Sequence, residues 1–82
     1  MEEQKNVVIY STPTCMYCKM AKEYFDENSI TYTDHDVAIN ETARKEMMDK
    51  TGQMGVPVID IGGEVVVGFD REKLAEMLGL NA

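Results

Sequence analysis

Short β-branched apolar runs alternate along this chain with longer stretches of helical period. Val7-Val8-Ile9-Tyr10 has the character of a buried strand, and Ser11-Thr12-Pro13-Thr14 ends it with turn chemistry. From Met16 to Asn28 the period becomes helical. Met20 and Tyr24 lie four apart, as do Ala21 and Phe25, while Lys19, Lys22, Glu23, Asp26 and Glu27 fill the other faces. Thr31 to Asp36 alternates around Tyr32 and predicts a second strand. Asn40 is placed to cap a helix with Glu41 in its first turn and Lys50 in its last, and Gly52 should stop it. Val56 to Ile61 reads as a third strand. Gly62-Gly63 suits a tight hairpin into a fourth, Glu64 to Val67. Asp70 is the expected N-cap of a last helix ending near Gly79.

The order is therefore β-α-β-α-β-β-α, an α/β fold with a four-stranded mixed sheet flanked by helices. A helix between the first two strands implies that they are parallel, and the hairpin makes the last two antiparallel. No linker, repeat or low-complexity stretch divides residues 1–82, so a single domain is expected. Met20, Met47 and Met77 stand at helical positions compatible with a core, His35 is expected to face solvent, and Met54 is the methionine placed to touch a substrate.

Composition narrows the class. With 44% hydrophobic and 28% charged residues the chain is neither disordered nor fibrous. Eight basic against 15 acidic residues give a net charge of −7, which repels phosphate backbones and anionic lipid surfaces, so no nucleic-acid or membrane partner is expected. The longest apolar runs are far too short for a membrane span, and the acidic start lacks the shape of a signal peptide. A cytoplasmic monomer is the expectation.

The two cysteines then need a chemical explanation. Cys15 and Cys18 would close too small a loop to stabilise the fold much, and a reducing cytosol would keep such a bridge open. Zinc needs two more ligands, but the chain has no other Cys and a single His. Inert core thiols remain an alternative. Redox chemistry explains the placement best. Cys15 opens a helix, where unpaired N–H groups and the positive end of the dipole favour a thiolate. Cys18 follows one turn later on the same face, within reach of disulfide geometry after a small adjustment. Lys19 and Lys22 add positive charge to that helix. Downstream, Pro57 opens the third strand. Either it sits there as a positional convenience, or a cis peptide turns the Val56 backbone outward to pair with a substrate.

Together these pieces resemble a known family over nearly the whole chain. Val7-Val8-Ile9-Tyr10-Ser11, Cys15-Met16-Tyr17-Cys18-Lys19, Gly55-Val56-Pro57-Val58 and Val67-Gly68-Phe69-Asp70 are similar to glutaredoxins of the thioredoxin-fold superfamily, close to the NrdH-redoxin branch. The resemblance implies a thioredoxin-like fold, with Cys15 as nucleophile, Cys18 as resolving thiol and Pro57 as a cis-proline. It implies that Val56 offers backbone hydrogen bonds to glutathione or a peptide and that Tyr17 forms one wall. Gly68, Phe69 and Asp70 would line the far end of the groove, where helix-start N–H groups can hold a carboxylate. Three positions depart from the glutaredoxin pattern. Met16 replaces a proline, Thr12 replaces a lysine at the edge of the glutathione groove, and Gly55 replaces a threonine.

The resulting expectation is a dithiol oxidoreductase that reduces protein disulfides and glutathione mixed disulfides. No cofactor is built in and no metal is held, and glutathione is the reductant. Two alternatives stand beside it. One is an NrdH-like donor to ribonucleotide reductase that is itself reduced by thioredoxin reductase. The other is a scaffold in which two protomers hold an iron–sulfur cluster through Cys15 and glutathione.

Overall fold

The computed structural model describes residues 6–53 and 55–80. Its elements are β1 (Val7–Ser11), α1 (Met16–Glu27), β2 (Thr33–Asp36), α2 (Glu41–Thr51), β3 (Val58–Ile61), β4 (Glu64–Val67) and α3 (Arg71–Leu78). The strands form one four-stranded sheet in the order β2-β1-β3-β4. β1 runs parallel to β2 and antiparallel to β3, which forms the antiparallel hairpin with β4. The order and sheet type match the sequence reading.

The sequence also explains which strands lie inside. β1 and β3 are buried along nearly their whole length, as interior strands covered on both faces should be. β2, with the polar sequence Thr-Asp-His-Asp, is an edge, and its charged side chains discourage that open edge from pairing with another chain. Alternation along the strands then divides the core. Val7, Ile9, Ile59, Ile61 and Val66 point to one face, against Ala21, Tyr24 and Phe25 of α1 and Leu74 of α3. Tyr10 and Val58 point to the other, against Val37 and against Ala43 and Met47 of α2.

Local chemistry sets the ends of the elements. The Asn40 side chain accepts from the Ala43 N–H at 3.0 Å, and the Asp70 carboxylate from the Lys73 N–H at 3.2 Å, each satisfying an otherwise unpaired donor of a first turn. Gly62 and Gly63, at φ +59° and +100°, take the hairpin conformation that other residues adopt only at a cost. No helix among the described residues is long and apolar enough to cross a membrane.

Four details differ from the sequence reading. β3 begins at Val58 because Pro57 has no N–H to give the ladder, and β2 begins only at Thr33. Met20 is 41% exposed, since the buried face of α1 centres on Cys18, Ala21 and Phe25. His35 is half-buried and stacks on Tyr10, its partner in the β1–β2 register, with ring centroids 5.5 Å apart. Met54 lies outside the described residues.

Candidate redox-active site

The site forms where three chain segments end at one edge of the sheet. β1 delivers the chain to the turn before α1, and β3 is antiparallel to it with Tyr10 opposite Val58. The residues just before β3 therefore lie beside those just after β1. Val67 of β4 pairs with Val58, which brings the start of α3 to the same end. Sequence separations of about forty residues collapse here through strand register alone.

Cys15 is the N-cap of α1. Its Sγ accepts the Cys18 N–H at 3.1 Å, and its own N–H donates to the Thr12 carbonyl at 3.3 Å. An N–H directed at sulfur at the start of a helix stabilises negative charge there. Cys15 is only half-buried, whereas Cys18 is 1% exposed. Burial, followed by the hydrogen bond with Cys15, pushes the Cys18 thiol from 9.0 up to about 12, against the opposing pull of the Thr12 backbone and the Lys22 charge. Both cysteines are free thiols. One sulfur is open to solvent and faced by an amide donor; the other is sealed and held protonated.

The Val56–Pro57 peptide bond is cis, as the resemblance implied. The Val56 carbonyl lies 3.9 Å from the Cys15 Sγ. Tyr17, 62% exposed, stands on the first turn of α1 between the two cysteines in sequence. Thr12 is half-buried, and its backbone meets both cysteines. The Gly68 N–H is already donated to the Pro57 carbonyl at 2.8 Å. Phe69 turns toward α1 and meets Tyr24 edge-on at 6.0 Å. Asp70 is exposed and caps α3. The structure thus brings Thr12, Cys15, Cys18, Val56 and Pro57 together. Gly68 joins them through Pro57, and Phe69 and Asp70 continue onto the flank of α1 and α3.

A polar group behind Cys18 was hidden in the sequence. The Ser11 hydroxyl donates to Asp34 Oδ1 at 2.6 Å, and Lys22 Nζ pairs with Asp34 Oδ2 at 2.6 Å. Burial works to lower the Lys22 pKa, but the hydrogen bond and charge of Asp34 outweigh it, and the result lies above the usual lysine value. The positive charge that Lys22 adds to α1 is therefore tied to Asp34. The only hint was the alternation of β2, which puts Asp34 on the α1 side of the sheet opposite Ile9. Among the described residues no three His, Cys, Asp or Glu side chains gather as a metal site.

The fold is matched by a solved structure. The thioredoxin-like protein BC3987 superposes with a TM-score of 0.84 at 33% identity, over 89% of this chain and 100% of that one. The architecture is thus thioredoxin-like, with a Cys-x-x-Cys pair at the start of its first helix. The glutaredoxin family model matches residues 7–66. The chain is 42% identical over 72 residues to a glutaredoxin-like 8.6 kDa protein in the rubredoxin operon of Clostridium pasteurianum, covering 88% of this chain and 96% of that protein. It is 32% identical over 74 residues to the glutaredoxin-like protein NrdH of Lactococcus lactis subsp. cremoris, covering 87% and 97%. This chain belongs to the glutaredoxin family, whose chemistry is thiol–disulfide exchange.

Proposed function

We propose that this protein reduces disulfides in proteins and mixed disulfides of glutathione, with Cys15 attacking and Cys18 resolving, and that glutathione restores the dithiol. The Cys15 thiolate attacks one sulfur of the substrate disulfide; the other sulfur leaves as a thiolate and takes up a proton. Cys18 then loses its proton and attacks the Cys15 sulfur of the mixed disulfide. The second substrate thiol departs, leaving Cys15 and Cys18 joined. Two glutathione thiols return the two electrons and become glutathione disulfide.

The observation that carries this reading is the asymmetry of the pair. Cys15 is accessible and accepts an N–H at 3.1 Å, whereas Cys18 is buried and protonated until the mixed disulfide forms. The groove supports it further. The Val56 carbonyl beside Cys15 and the open ring of Tyr17 offer a bound cysteine-containing chain a backbone acceptor and an apolar wall.

The second reading is an NrdH-like protein, reduced by thioredoxin reductase and serving ribonucleotide reductase. Thr12 and Gly55, the Gly68-Phe69-Asp70-Arg71 segment and the similarity to the Lactococcus protein favour it. One assay separates the two. NADPH is supplied with glutathione and glutathione reductase, or with thioredoxin reductase alone, and reduction of a protein disulfide is followed. Turnover through glutathione is expected. Turnover with thioredoxin reductase only would replace this reading with the second.

A further inference from the structure

Past the sulfurs, α1 carries a stripe that the exchange chemistry does not use. Met16, Met20, Glu23 and Glu27 follow one another at spacings of four, three and four along one side of the helix. The first half is apolar and open, with Met16 71% and Met20 41% exposed beside Tyr17. The second half forms a cleft of about 170 Å³, lined by Met20, Glu23, Tyr24, Glu27, Phe69 and Arg71. Its aromatic side is fixed by the edge-on contact of Tyr24 with Phe69. Arg71 also lines the cleft but makes no ion pair with either glutamate among the described residues; its guanidinium sits over the Tyr24 ring, 5.4 Å from the centroid. Neither Glu23 nor Glu27 takes part in an ion pair among the described residues.

We propose that this cleft docks the segment flanking the disulfide of a protein substrate, and that the segment carries a lysine or arginine. The inference rests on the dithiol reading above. A long basic side chain has an apolar stem and a charged head. The cleft offers Met20 and an aromatic edge to the stem and two unpaired carboxylates to the head. The stripe starts at Met16, next to Cys15, and runs along α1 into the cleft, so a single extended chain laid along it would reach both. At about 1.5 Å per helical residue, Met20 lies about 7.5 Å and Glu27 about 18 Å along the axis from Cys15. An extended peptide at about 3.3 Å per residue covers those distances in about two to six positions. The net charge of −7 attracts the same kind of partner from a distance.

The test uses two disulfide-linked peptides that differ only four positions either side of the cysteine, where one carries lysine and the other glutamate. Both are given to the unaltered protein and to the double variant Glu23→Gln, Glu27→Gln, beside a small uncharged disulfide such as hydroxyethyl disulfide. The unaltered protein should favour the lysine peptide in kcat/KM by about threefold to tenfold at low salt, the size of two exposed charge pairs. The preference should fade toward 1 M salt, where the screening length is about 3 Å, and should largely vanish in the double variant while turnover of the small disulfide is unchanged. Equal use of both peptides, or a preference that survives the double substitution, overturns the docking site alone. Failure of the unaltered protein to turn over the small disulfide overturns the dithiol reading, and this inference with it.

Discussion

One helical turn separates Cys15 from Cys18, yet it reverses what each sulfur can do. Cys15 receives an amide hydrogen and faces solvent, while Cys18 is sealed beneath the helix with its thiol pushed up to about 12. Position in the sequence already told the two apart, because only the first thiol stands at the helix start. The surroundings of Cys18 were not legible. In the sequence Lys22 is positive charge on α1; strand register brings Asp34, itself bonded by Ser11, to it. Substitution at Thr12 tests the proposed use of glutathione. Glutathione carries net negative charge, and a lysine at this position would add a cation near the thiolate and the glutathione carboxylates. An exposed attraction of this kind is worth about 0–1 kcal/mol. Thr12→Lys should therefore raise turnover of a glutathionylated substrate by at most about fivefold at low ionic strength, with the gain fading as salt is added. Rates of mutant and wild type at two salt concentrations measure this, and a mutant with no gain at low salt would show that Thr12 does not limit glutathione use.

Among the elements, hydrophobic period located β1, α1 and β3, whereas α2, β4 and α3 were located by their caps, glycine stops and turn; the polar β2 was placed only around Tyr32, which lies outside it. Asn40, Asp70, Gly52 and Gly79 stand where the helices begin and end. The misplacements arose where tertiary contacts overrule period. Met20 has helical spacing but misses the sheet, and His35 stacks on a neighbour that only the β1–β2 register supplies. Asp70 has two conceivable roles, capping α3 and holding a ligand. The cap is explicit in its bond to the Lys73 N–H. Asp70→Ala should therefore cost about 1 kcal/mol of stability, whereas Asp70→Ser, which keeps an oxygen at the cap, should lose much less. Chemical denaturation of the three proteins reads the difference. Equal stability of all three, with weakened glutathione-dependent turnover in the alanine variant, would assign Asp70 to the ligand instead.

For the molecule as a whole, the sheet order decides the function, because it places the start of β3 and the end of β4 beside the end of β1. The order of elements was readable; the meeting of Cys15 with Val56 needed the antiparallel register of β1 with β3. Burying a thiol also ties global stability to redox state and pH. Burial raises the Cys18 thiol from 9.0 to about 12, so the folded reduced protein holds this proton more tightly than the unfolded chain. That contribution is fully present below about pH 9 and is lost as pH climbs toward 12. The oxidised protein has no thiol to titrate and does not share the loss. The gap in Tm between oxidised and reduced protein should consequently widen in favour of the oxidised form between pH 8 and about pH 10.5. Parallel curves for the two forms over that range would show that Cys18 is not held protonated by the fold.

The division of labour between the sulfurs is tested by trapping the mixed disulfide. Cys18→Ser protein is mixed with a disulfide-bearing substrate protein, quenched with acid and analysed by intact mass and peptide mapping. One substrate should be found bound through Cys15, persisting until a small thiol is added, because no second sulfur is present to release it. Cys15→Ser protein treated in the same way should carry no adduct, since Cys18 is buried and protonated. An adduct on Cys18 in the Cys15→Ser protein, or none in either variant, would contradict the assignment.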